Sequence, residues 1–175
     1  MRWSYRIAFV LTWAVATTQA QSMNEYKIKA VFLYNFAKFV EWPAEAFQSP
    51  NQPIEICILG QDPFGNWLEE TVQGRAIDGR ALEIRSVVNI KEMGGCHVVF
   101  VSLGGQKRFR SLLSEMNKRS VLTVGESDNP SKSDADINLM RQGTRVRFEI
   151  NAEAAKQKHL RISSKLLALA SSITK

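Results

Sequence analysis

Ile54-Glu55-Ile56-Cys57-Ile58-Leu59-Gly60, residues 54–60, is a short apolar run with β-branched residues at alternate positions, opened by Pro53 and closed by a glycine. A strand buried on both faces and followed at once by a turn reads this way. Two later stretches repeat the design. His97-Val98-Val99-Phe100-Val101-Ser102-Leu103 runs into Gly104-Gly105, and Val121-Leu122-Thr123-Val124 runs into Gly125. Apolar strand, glycine, then a helix-like segment is the rhythm of a parallel α/β sheet. Residues 54–60 are the candidate for the sheet centre.

Outward from this strand the pattern holds on both sides. Upstream, Ser22-Met23-Asn24-Glu25 has the form of a capping box and Pro43 is a stop, which predicts a helix over 22–41. Ile28, Phe32, Leu33, Phe36, Phe39 and Val40 form its wide apolar arc. Lys27, Lys38 and Glu41 gather beside Tyr34 on a polar strip. Downstream, Asp62 and Pro63 suit the start of a helix ending near Val72. Leu82-Glu83-Ile84-Arg85 alternates as an edge strand does, and Gln106–Arg119 is amphipathic through Phe109, Leu112, Leu113 and Met116. Ile137–Met140 and Arg145–Ile150 flank Arg141-Gln142-Gly143-Thr144 and predict a hairpin. Asn151 then caps a short helix, and Ser163 or Ser164 caps a last one on which Leu166, Leu167, Leu169 and Ala170 pack down. The expected fold is α/β: one domain, a largely parallel central sheet with an antiparallel C-terminal hairpin, and helices on both faces.

Residues 1–20 stand apart. Arg2 and Arg6 precede the apolar run Ile7–Ala16, and Thr18-Gln19-Ala20 offers small residues at a cleavage position. This is the form of a secretory signal peptide cleaved after Ala20, leaving residues 21–175 as the mature domain. The run is short for a spanning helix, which needs about 20 residues. Losing two arginines lowers the formal charge from +6 to +4. The remaining excess is scattered and not interleaved with aromatic residues, so no nucleic-acid partner is expected.

A search for chemistry returns little. His97 and His159 are the two histidines, and no Gly-x-Ser-x-Gly, His-Glu-x-x-His or paired-cysteine zinc pattern occurs. Gly60 and Gly65 have the outer spacing of a phosphate loop, but Asn66 and Trp67 stand where Lys and Ser/Thr are required. The carboxylates of Glu126–Asp136 fail calcium-loop spacing at Pro130 and Lys132, so that stretch reads as an exposed loop. No enzyme, metal or cofactor is expected. Cys57 and Cys96, the only cysteines, favour a disulfide in an exported chain, and two buried free thiols are the alternative. Arg161, ahead of Ser163-Ser164, offers a candidate anion site at a helix start; an ordinary cap is the other reading. Ligands of open α/β sheets bind beyond the carboxyl ends of the strands, here at Gly60, Gly104-Gly105 and Gly125.

Several stretches together resemble a known family. They are Tyr26-Lys-Ile-Lys-Ala-Val-Phe-Leu-Tyr-Asn-Phe-Ala-Lys-Phe-Val-Glu-Trp-Pro43, Ile56-Cys-Ile-Leu-Gly-Gln-Asp-Pro-Phe-Gly65, Cys96–Ser102, Val121–Gly125, Arg145–Asn151 and Leu160–Leu167. In this order they resemble the YfiR-like family, from about Glu25 to Ala170. The resemblance implies a periplasmic repressor that binds the periplasmic region of an inner-membrane diguanylate cyclase such as YfiN. It also implies relief through sequestration by an outer-membrane lipoprotein, and a homodimer is one expected assembly. Cys57 and Cys96 match one of the family's disulfides; a second pair has no counterpart in this sequence. On this reading Tyr34, Lys38, Glu41 and Trp42 are candidate partner contacts, because surface aromatics beside charges anchor interfaces. The alternative is a periplasmic small-ligand sensor of the same fold, acting on another signalling partner.

Overall fold

The computed structural model of the protein describes residues 8–102, 110, 115–127 and 134–174. In chain order the elements are helix α1 (Ala8–Phe39), strands β1 (Val40–Glu41) and β2 (Ile54–Leu59), helix α2 (Trp67–Val72), and strands β3 (Ala76–Ile77), β4 (Arg80–Val87), β5 (Cys96–Val101), β6 (Leu122–Glu126), β7 (Ile137–Gln142) and β8 (Arg145–Asn151). Helix α3 (Ala152–Gln157), strand β9 (Arg161–Ile162), helix α4 (Ser164–Leu167) and strand β10 (Ser172–Thr174) follow. Eight strands form one sheet in the order β10-β8-β7-β6-β5-β2-β4-β3. β4, β2, β5, β6 and β7 run parallel to one another, and β8 turns back antiparallel on β7. The mixed α/β architecture is the one the apolar strand–glycine rhythm predicts.

β2 is interior, with β5 on one side and β4 on the other, but the middle of the sheet lies between β6 and β5. The C-terminal strands β7, β8 and β10 lengthen the sheet on the far side and displace the centre from β2. β4 is one strand in from the edge, covered only by the two residues of β3.

The central strands carry buried apolar side chains on both faces. Ile54, Ile56 and Ile58 join Val98, Phe100, Leu122, Val124, Ile137, Leu139, Phe148 and Ile150 beneath α1 and α2. Phe32 and Phe36 of α1 pack against Phe148 at ring separations of 5.4 and 5.1 Å. The alternate residues Cys57, Leu59, Val99 and Val101 face a second cluster with Met93 and Met116. Strands buried on both faces have no polar alternation, as β2 and β5 show. Met116 is buried as its helical pattern predicts; Phe109, Leu112 and Leu113 lie outside the described residues.

Local caps differ from expectation at three places. α1 runs unbroken through Ser22, so no helix starts there, and Glu25 pairs with Lys29 at 2.5 Å. The same helix stops at Phe39, where Val40 turns to strand pairing. Asp62 accepts from the Phe64 amide at 2.7 Å in a turn, and α2 begins only at Trp67. Asn151 and Ser163 do cap α3 and α4 through their side chains. Leu169 is exposed, because the chain leaves α4 before it. Gly143, at φ 62°, takes the left-handed position of the β7–β8 turn.

Candidate functional site

Two parallel strands and one irregularity between them define the site. Glu55 of β2 pairs with Cys96 of β5, but Ile56 pairs with Val98. His97 is therefore the extra residue of a β-bulge, and such a residue is left out of the ladder. Side chains complete its hydrogen bonding. The Glu55 amide donates to His97 Nδ1 at 3.1 Å, and Trp42 Nε1 donates to the His97 carbonyl at 3.3 Å. The imidazole is 1% exposed and stacks on Phe47 at 4.4 Å, with Trp42 edge-on at 6.1 Å. Arg80 lies over the same Phe47 ring, 3.7 Å from its centroid, and donates to the Ser49 and Gln52 carbonyls. Burial pushes the His97 pKa below its ordinary value; Glu55 and the Ala46 backbone oppose this and Arg80 assists it.

Cys57 and Cys96 are joined, with Cα atoms 5.8 Å apart. Beside the bridge, Arg85 reaches Glu55 Oε2 through Nη2 at 2.6 Å and Nε at 3.0 Å, and its Nη2 lies 3.6 Å from Cys96 Sγ. Gly95, at φ 90°, leaves room for this: a Cβ there would stand 2.9 Å from the Glu55 carboxylate. Glu55, Cys57 and Cys96 form the only cluster of metal-ligating side chains among the described residues. Its sulfurs are bonded to each other and its carboxylate holds Arg85, so it offers an ion nothing.

The two-residue ribbon of β1 and β9 gathers most of the sequence candidates at one end of α1. Val40 pairs with Ile162 and Glu41 with Arg161, whose charged groups lie 3.6 Å apart, and the Ser163 amide donates to the Phe39 carbonyl. Glu41 and Trp42 border a cleft of about 290 Å³ with Val40, Phe47, Ile54, Ile77, Asp78 and Arg80. Tyr34 and Lys38 lie further back along α1; Arg75 covers the Tyr34 ring at 4.8 Å, while Lys38 and Glu41 are exposed.

The ligand candidates are not assembled. α1 runs against the strands, from Lys29 beside Glu126 at the carboxyl end of β6 to Trp42 beside His97 at the amino end of β5. Arg161 and Ser163 thus lie at the end opposite Gly60 and Gly125; Gly104 and Gly105 are outside the described residues. The Ser163 hydroxyl accepts from the Lys165 amide at 3.3 Å, Ser164 is exposed, and α4 has four residues.

Sequence reading missed the buried ions. Lys29 reaches Glu126 at 2.7 Å, and Tyr26 donates to the other Glu126 oxygen at 3.3 Å. Burial, then the charge and hydrogen bond of Glu126, raise the Tyr26 pKa. Lys158 reaches Asp136 at 2.8 Å, and the same Asp136 oxygen accepts from the Thr123 amide and hydroxyl at 2.7 Å. The stretch read as an exposed loop is therefore pinned inside the domain at both ends. A signal did exist: Lys29 has the helical phase of Leu33 and Phe36, a charge in the middle of the apolar stripe.

One solved structure shares the fold at low identity, and a second is similar in part. A conserved domain protein from Vibrio cholerae O1 biovar El Tor matches with TM-score 0.50 and 12% identity, over 69% of this chain and 54% of that one. The ABC domain in complex with L-Trp from Streptococcus pneumoniae matches with TM-score 0.49 and 10% identity, over 69% and 55%. The chain thus spans about half the length of these structures. No curated protein matches it. A family model does match, over residues 26–171, from the buried turn of α1 through α4, and by it the chain belongs to the YfiR/HmsC-like family, DUF4154.

Proposed function

We propose that the domain is a periplasmic regulator that binds the periplasmic region of an inner-membrane diguanylate cyclase and represses it, lowering cyclic-di-GMP and biofilm formation. The observation that carries this reading is the family match over 26–171, since the YfiR-like family is a regulatory and periplasmic one. The Arg2–Ala20 pattern supports export with cleavage after Ala20. Among the described residues no helix is long and apolar enough to cross a membrane.

Repression needs no reactive group. It needs a surface that prefers the inactive cyclase, because equal affinity for both states shifts nothing. A preference of about 2.7 kcal/mol moves the balance roughly a hundredfold. Tyr34, Lys38, Glu41 and Trp42 are the proposed contact, and an outer-membrane lipoprotein would relieve repression by competing for the domain; a homodimer would present the surface twice. The cleft beside Trp42 supports the second reading, a small-ligand sensor acting on another signalling partner.

Deleting the gene should raise cyclic-di-GMP, and deleting the cyclase as well should cancel the rise. An unchanged level, with the cyclase expressed, would sink repression and leave the sensor reading ahead.

A further inference from the structure

We propose that His97 is an acid-released latch on segment 42–53, holding Trp42 and Phe47 in place while neutral and freeing them when protonated at Nδ1. The geometry carries this. Nδ1 accepts the Glu55 amide hydrogen, so its lone pair is in use and the neutral ring carries its proton on Nε2. Nε2 is buried, and only the Ala46 backbone of the same segment acts on the ring from that side. A second proton can enter only at Nδ1, which sets an N–H against the Glu55 N–H and removes the acceptor that completes the bulge. The charge also arrives on a ring stacked against Phe47, whose π face already holds Arg80. Two cations on one arene repel, and the Phe47 face cannot favour both.

The surrounding charges do not rescue the imidazolium. From β2, the Glu55 carboxylate is held by Arg85 of β4; from the start of β4, Arg80 faces the stack. Glu41, paired with Arg161, and Asp78 stand at the cleft border. Water is the remaining way to solvate a buried charge. Reaching it requires Phe47 to lift and Trp42 to give up its bond to the His97 carbonyl. The part that moves borders the cleft and carries one of the proposed contact residues. The latch itself stands on the geometry of the isolated domain; only its effect on a cyclase rests on the function proposed above.

The test uses the mature domain with Trp67→Phe, which leaves Trp42 as its single tryptophan. Acrylamide quenching of Trp42 is followed from pH 7.5 to 4.5, with far-UV circular dichroism recorded alongside. Quenching should rise about twofold or more below pH ~6, before the circular dichroism changes. His97→Asn keeps an acceptor for the Glu55 amide but cannot be charged, so it should remove the rise. A rise that persists in His97→Asn overturns the latch. Should that variant not fold, the His97 ring resonances in the parent domain decide: titration without any change in Trp42 quenching overturns it equally. No partner is present, so failure here leaves the proposed repression untouched.

Discussion

Lys29 of α1 and Glu126 at the end of β6 meet at 2.7 Å with side chains only 5% and 2% exposed, 97 residues apart in sequence. Breaking a buried pair from one side strands the other charge and costs about 3–5 kcal/mol. Lys29→Met should therefore destabilise by that amount in urea unfolding. Lys29→Met with Glu126→Leu should recover most of it. Lys158→Met, which strands Asp136, should behave like Lys29→Met.

The disulfide sets a second expectation. Cys57 and Cys96 are 39 residues apart, and closing such a loop stabilises by about 4 kcal/mol in the chain-entropy model. Cys57→Ser should lower stability by a few kcal/mol, a large part of the 5–15 kcal/mol typical of a domain. Non-reducing peptide mapping of exported protein should show the two peptides linked, and two alkylatable thiols would contradict this.

His97 gives the stability a pH dependence of known sign. Its folded pKa is depressed, so the unfolded chain takes up the proton first. The stabilisation is complete above about pH 6.5 and is lost as pH falls below it towards the folded value. Urea midpoints should drop between pH 7 and 5, and His97→Asn should drop less over the same interval.

The proposed contact can be tested without touching the core. Lys38 and Glu41 are exposed, so Lys38→Glu and Glu41→Lys should each change stability by no more than about 0.5 kcal/mol. Affinity for the periplasmic region of the cyclase, read by calorimetry, should fall about tenfold or more, or 1.4 kcal/mol. Unchanged affinity in both would move the contact elsewhere.

Export predicts a defined end. Protein purified from the periplasm should begin at Gln21 in N-terminal sequencing.

Much of this was legible in the sequence wherever one pattern answered one physical demand. The runs at Ile54, His97 and Val121 are apolar without alternation because both sheet faces are covered, and Gly143 stands where the hairpin needs a left-handed residue. The bulge at His97 was not legible, because an extra residue shifts register without altering the apolar run. Neither were the pairs Lys29–Glu126 and Lys158–Asp136: the helical phase of Lys29 marks it as buried, but no local pattern names the distant carboxylate that topology brings to either lysine. The gathering of Glu41 with Arg161 depends likewise on a two-residue ribbon that leaves no periodic trace.

That ribbon also bears on the order of events when the chain folds. Val40 finds its pairing partner in Ile162, and Phe36 rests on Phe148, so the long first helix docks on strands made last. Contacts spanning about 120 residues close slowly, since the loop entropy is lost before they form. A chain delivered amino end first, from a ribosome or through an export channel, presents its helix long before β8 and β9 exist to receive it. The domain consequently stays open and threadable during delivery, and the timing of its closure lies with the residues that arrive last.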